Sequence, residues 1–163
     1  MLRLQRDGRD IWIHAWAEFT GKYRLTIVEK EAMAQDVVAD AAALANDLKT
    51  SGHVAVDGVL FDTGKATIKS ESAKAIEEIA KLLTADSKLK VYVVGHTDTV
   101  GSLDANMKLS QERAEAVVQA LVKTHGIAAS RLKSFGNGPY APVASNEAEP
   151  SRARNRRVEL VKQ

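Results

Sequence analysis

The sequence predicts an α+β fold: a two-layer β-α-β-α-β-β sandwich with helices against one mixed sheet, preceded by a β-meander and a helix. Three observations predict it. The first thirty residues alternate with period two between turn signals. From His53 onward, short apolar runs alternate with longer segments of helical period. Glycine-containing turn signals separate these segments, and no internal repeat or low-complexity tract interrupts them.

Taken in order, Leu2 to Arg6 reads as a strand and Asp7-Gly8 as a two-residue hairpin turn. Ile11 to Phe19 and Tyr23 to Glu29 read as the next two strands, joined at Thr20-Gly21. Both faces of this meander carry bulky groups, Trp12 and Trp16 among them. A lone three-stranded meander is marginally stable, so a packing partner is expected: the rest of the chain, an upstream region or a second copy. Glu31 to Lys49 reads as a helix with Met33, Val37, Ala41, Leu44 and Leu48 in one stripe, stopped at Ser51-Gly52. Residues 1–51 thus form an extension, and residues 1–50 are a candidate homodimer interface.

The second unit, residues 52–163, opens with a strand from His53 to Phe61, interrupted at Asp57-Gly58. Ser70 is placed to cap a helix that buries Ala73, Ile76, Ile79, Ala80 and Leu83. A strand over Leu89–Gly95 follows. Then comes a helix over Ser110–His125, with Ala114, Val117, Val118, Leu121 and Val122 inward and Gly126 as its stop. Strands over Arg131–Phe135 and Arg157–Val161 complete the unit.

Composition narrows the function. The 163 residues are 45% hydrophobic and 5% aromatic, so the core is built mostly from Ala, Val, Leu and Ile. Twenty-three basic and 21 acidic residues give a net charge of +2, which argues against a dedicated nucleic-acid binder. The run Arg152-Ala153-Arg154-Asn155-Arg156-Arg157 is flanked by Glu147, Glu149 and Glu159 and reads as a solvated loop. With no cysteine, disulfides, thiolate metal sites and cysteine catalysis are excluded. The four histidines are scattered without metal-ligand spacing, and no serine sits in a nucleophile elbow, so neither metal nor cofactor is expected. No apolar run approaches the ~18 residues of a membrane span. No secretory signal is read at Met1-Leu2-Arg3, and the expectation is a mature or trimmed part of a longer precursor.

The chemistry concentrates after the strand at Leu89–Gly95. Gly95-His96-Thr97-Asp98-Thr99-Val100-Gly101 leaves a strand's carboxyl end, where ligands of such folds tend to bind. Arg113 falls in the first turn of the expected helix at Ser110. A cation there runs against the helix dipole unless an anion binds beside it.

Phe61-Asp62-Thr63, Gly95-His96-Thr97-Asp98, Gly101, Asn106, Leu109-Ser110, Arg113-Ala114, Gly136-Asn137-Gly138, Pro142, Asn146 and Asn155-Arg156-Arg157-Val158-Glu159 occur in one order with consistent gaps. This ordered set resembles the OmpA-like carboxy-terminal domain family, which includes the Pal lipoprotein and the stator protein MotB. It spans about Gly52 to Val161, and Ser151 departs from a frequent glycine.

The resemblance implies a non-catalytic periplasmic domain that binds peptidoglycan, by the diaminopimelate residue of its stem peptide, and tethers the envelope to the cell wall. It implies membrane attachment only through a part outside this chain. It places the central ligand contacts on Asp98 and Arg113. Phe61 and Asp62 would wall the pocket, with Thr97, Asn106, Leu109, Asn155 and Arg157 around it. The chemistry agrees: diaminopimelate ends in an ammonium and a carboxylate on one carbon, which a carboxylate and a forked guanidinium suit. Two rival functions are a peptidoglycan-cleaving enzyme, with Asp62 and Asp98 as its acid pair, and a dimeric assembly protein of the envelope.

Overall fold

The computed structural model describes residues 2–6, 9–17, 22–30 and 40–163. The chain divides into two units, Met1–Asp36 and Val37–Gln163.

The first unit holds strands β1 (Leu2–Arg6), β2 (Arg9–Ala17) and β3 (Tyr23–Lys30) in an antiparallel meander of that order. Arg6 pairs with Arg9, the register that a two-residue connection at 7–8 requires. The turn residues themselves, and the side chains of Trp12 and Trp16, lie outside the described residues.

The second unit begins at α1 (Ala41–Ser51), whose first turn is capped by the Asp40 carboxylate accepting from the Ala42 amide. Residues 31–39 of the expected helix lie outside the described residues. Leu44 and Leu48 belong to the core of the second unit, so α1 packs there although the sequence grouped it with the preceding strands. Gly52, at φ 77°, ends the helix in the left-handed conformation that glycine adopts without strain.

Four strands follow: β4 (His53–Val56), β5 (Val91–His96), β6 (Leu132–Gly138) and β7 (Val158–Lys162). Their order is β4-β7-β5-β6, with β5 parallel to β6 and antiparallel to β7, and β4 antiparallel to β7. Helices α2 (Ala73–Ala85) and α3 (Leu103–His125) supply most of the second layer. Ile76, Ile79 and Leu83 of α2 and Ala114, Val117 and Leu121 of α3 meet Val54, Val91, Val93, Val158 and Leu160 in one core. Each large side chain buried there contributes about 1.5–3 kcal/mol. The expected mixed-sheet sandwich is the one observed.

Several boundaries differ from expectation. The first strand stops at Val56, because Asp57-Gly58 is a true turn with Gly58 at φ 85°; Phe61 makes only a bridge to Ile68. Ser70 does not cap α2. It opens a short 3-10 turn, Ser70–Ser72, and its hydroxyl donates to Glu71 instead. In α2, Ile76, Ile79, Ala80 and Leu83 are buried as expected, joined by Ala75 and Leu82, whereas Ala73 is exposed. β6 runs on through Gly136-Asn137-Gly138, beyond the Phe135 end expected of this strand. The arginine run is not wholly a loop: Arg152 to Asn155 belong to a helix, α4 (Glu149–Asn155), with proline in its first turn where no amide hydrogen is needed.

The largest revision concerns α3, which starts at Leu103 rather than Ser110. Ser102 caps it by accepting from the Ala105 amide, and Asp104 complements the dipole in its first turn. Arg113 is therefore near the middle of a 23-residue helix. The dipole reasoning for an anion beside Arg113 does not hold.

Helix α3 lies unusually close to the sheet. A methyl group at Gly95 of β5 would overlap the Ser110 carbonyl, and one at Gly136 of β6 would meet the Gln111 amide nitrogen and the Ser110 hydroxyl. Ser110 is fully buried; its Oγ donates to the Met107 carbonyl at 2.8 Å and accepts from the Gly138 amide at 2.9 Å. This seam ties the first half of α3 to the ends of β5 and β6, where the candidate site lies.

Candidate functional site

β5 ends at His96, and the chain then turns sharply through Thr97-Asp98-Thr99-Val100. Hydrogen bonds fix this loop from three sides. The Thr97 amide donates to the Gly138 carbonyl, the Asn106 side chain donates to the Val100 carbonyl at 3.0 Å, and the Thr99 amide donates to Asn146 Oδ1 at 3.2 Å. Asp98 Oδ1 accepts from the Val100 amide at 3.0 Å, which orients its carboxylate.

The loop forms one wall of a cavity of about 500 Å³, lined also by Phe61, Thr63 and Gly64, by Asn106, Leu109 and Arg113 of α3, and by Glu149, Arg152 and Arg156. Six of the nine residues singled out in the sequence thus share one cavity: Phe61, Thr97, Asp98, Asn106, Leu109 and Arg113.

The other three lie outside its lining. Asp62 contributes only its carbonyl, which accepts from Arg113 Nη2 at 3.4 Å. Asn155 is fully buried; it accepts from the Val143 and Ala144 amides and donates to the Ala144 carbonyl and to Asn146 Oδ1. Asn146 bonds Thr99 in turn, so Asn155 acts on the loop from a distance. Arg157 pairs with Glu159 and donates to the Ala141 carbonyl, and it faces a different groove.

Arg113 is 5% exposed. Its Nε donates to the Lys65 carbonyl at 3.0 Å, and its guanidinium carbon lies 4.9 Å from the centre of the Phe61 ring. Among the described residues it has no carboxylate partner. Burial holds its pKa below the usual arginine value, the neighbouring Arg156 adds to this, and Asp98 opposes it. A guanidinium this dry and unneutralised is poised to receive an anion.

Asp98 does not pair with Arg113. Its Oδ2 accepts from Arg156 Nη1 at 2.7 Å, and Arg156 Nη2 reaches Glu149 of α4. The bond to Asp98 raises the Arg156 pKa above its usual value, and Glu149 reinforces this. Each carboxylate oxygen offers two lone pairs, so Asp98 keeps acceptor capacity for a ligand. Sequence reasoning missed Arg156, Arg152 and Glu149. The signal was the Glu149-Pro150 start of α4, with Arg152 three positions after Glu149 and Arg156 directly past the end of the helix.

Beneath the loop, His96 is buried, with Nε2 3.6 Å from Glu159 Oε2. His96, and then Arg157, hold the Glu159 carboxyl down at about 2, against burial, from an ordinary 4.5. A carboxyl with a depressed folded pKa stabilises the fold above its unfolded value and loses that contribution as the pH falls. Stability should decline from about pH 4.5 towards pH 2. Glu159→Gln should be less stable at neutral pH and flatter across that window, as urea unfolding over a pH series would read. The Thr97 hydroxyl is buried and has no hydrogen-bond partner among the described residues. Among the described residues no three His, Cys, Asp or Glu side chains are placed to hold a metal ion.

A charged cavity at the exit of a central strand, roofed by the long helix of an α+β sandwich, defines a binding domain of recognisable class. The chain belongs to the OmpA family, whose model matches residues 60–156. It is 43% identical over 104 residues to the probable lipoprotein YiaD of Escherichia coli K12, an alignment covering 64% of this chain and 47% of that protein. The chain thus spans about half the length of this curated relative. Among solved structures it is similar to the peptidoglycan-associated lipoprotein from Burkholderia pseudomallei, with TM-score 0.59 and 31% identity, covering 64% of this chain and 88% of that one. It is also similar to the cell wall anchor of the T6SS from Pseudomonas aeruginosa, with TM-score 0.57 and 33% identity, covering 77% and 99%.

Proposed function

We propose that residues 52–163 form a non-catalytic, periplasmic module that binds peptidoglycan through the diaminopimelate residue of the stem peptide and so tethers the envelope to the cell wall. The observation that carries this reading is the buried Arg113 guanidinium, without a carboxylate partner, in the same cavity as the Asp98 carboxylate. The free end of diaminopimelate supplies the missing carboxylate for Arg113 and an ammonium for Asp98. The Thr97 hydroxyl is a further donor with nothing yet to bond. Two of the similar structures are named for association with peptidoglycan or the cell wall, which supports the same ligand.

Catalysis is less well served by this geometry. Asp62 does not line the cavity, and the two carboxylates that do, Asp98 and Glu149, share Arg156. Arg156 lowers the pKa of Glu149, whereas a general acid must hold its proton.

Purified sacculi test the proposal. The wild type should sediment with them and release no soluble fragments, whereas Asp98→Asn, which keeps the side chain's shape, should stay in the supernatant. Equal sedimentation of the two would exclude this site. Soluble fragments would favour the cleaving enzyme.

A further inference from the structure

The resemblance pointed to Arg157, and the structure places its neighbour Arg156 at the cavity instead. The Arg156 side chain is 34% exposed, against 10% for Asp98, and it bridges Asp98 to the outward-facing Glu149, 62% exposed. The carboxylate proposed to receive a ligand's ammonium therefore already carries a cation on one oxygen. Resting on the peptidoglycan reading above, we propose that Arg156 is the specificity-determining residue that makes the cavity select an ammonium flanked by a carboxylate over a bare ammonium.

Two stem peptides differ in this way. One ends its third residue in a carbon bearing both ammonium and carboxylate, as diaminopimelate does. The other ends it in a CH₂-ammonium, as lysine does. The bare ammonium must share Asp98 with Arg156 or push Arg156 out to Glu149. Either way, it adds a positive charge to a cavity that already holds Arg113 and Arg156, with Arg152 committed to Glu149. Arg113 is nine-tenths buried, no carboxylate among the described residues bonds it, and the nearby Asp98 is engaged by Arg156, so that added charge is poorly screened.

The zwitterionic end adds no net charge. Its carboxylate offers two oxygens to Arg113 and Arg156 while its ammonium takes the remaining lone pairs of Asp98. Arg156 thus discriminates mainly by repelling the wrong ligand. Without it, Asp98 would be a nearly buried carboxylate with a single backbone donor, and either ammonium would neutralise it.

Calorimetry with the two synthetic stem tripeptides, L-Ala-γ-D-Glu-meso-diaminopimelate and L-Ala-γ-D-Glu-L-Lys, reads the effect. The wild type should favour the first. Arg156→Gln should narrow that preference by about tenfold, chiefly by tightening the lysine peptide. Glu149→Gln, a substitution at an exposed position, leaves Arg156 with Asp98 as its carboxylate and should widen it. An unchanged preference in both variants, or equal weakening of both peptides in Arg156→Gln, would overturn this role for Arg156 while leaving the binding site standing. A wild type that binds neither peptide would overturn the site and the selectivity together.

Discussion

Arg113→Ala is expected to weaken sacculus binding by roughly 30- to several-thousand-fold, the range for removing one partner of a buried charged contact. The loss has two sources. The ligand carboxylate would be drawn into a dry cavity without its forked donor, and Asp98 would be left as a nearby negative charge. The bonds from Arg113 to the Lys65 and Asp62 carbonyls would also go, loosening the loop that carries Phe61. Arg113→Lys separates these contributions. It restores a point charge but not the planar fork, and should fall between wild type and alanine. Because Arg113 sits within a long helix, the fold should survive both changes, as thermal denaturation would show. Wild-type affinity in the alanine variant would remove the basis for this site.

The second large effect is on stability. Gly95→Ala should cost roughly 1–3 kcal/mol or more, the cost of overpacking a closed interior. The added methyl would meet the Ser110 carbonyl, which is backbone within a helix and cannot rotate away. Relief requires α3 to lift from the sheet, breaking the hydrogen bond from the Gly138 amide to the Ser110 hydroxyl. Gly126→Ala is the control: nothing lies within 4 Å, so only the strain of φ 68° is felt. Chemical denaturation should place Gly95→Ala below Gly126→Ala, whose left-handed strain alone costs about 1–2 kcal/mol, and a Gly95→Ala midpoint at the wild-type value would show that the seam is not tight.

The sequence exposed the core more readily than the ends of its elements. Ile76, Ile79, Leu83, Ala114, Val117 and Leu121 follow from periodicity, because a buried helical face repeats whatever its neighbours do. The start of α3 was hidden because the apolar residues of Leu103-Asp104-Ala105-Asn106-Met107-Lys108 fall two apart instead of at helical spacing, with Leu103 and Ala105 exposed; only the Ser102 cap announces it. α4 was hidden by its charge. An arginine-rich segment looks solvated until the fold brings Asp98 to Arg156, whose other nitrogen reaches back to Glu149. Asp98 and Arg113 were legible as an ordered motif. Their separate partners were not, since Arg156 reaches Asp98 across 58 positions of chain.

The seam between α3 and the sheet also bears on how a tether would carry load. A pull on a ligand held by Asp98 and Arg113 would enter at the end of β5 and the middle of α3. β5 is an inner strand, hydrogen-bonded along both edges, to β6 and to β7. Tension along it would have to shear two ladders at once rather than unzip one from its tip. The rim of the cavity is thus rooted in an inner strand and the helix packed on it, and the first thing to yield under strain should be the grip on the ligand.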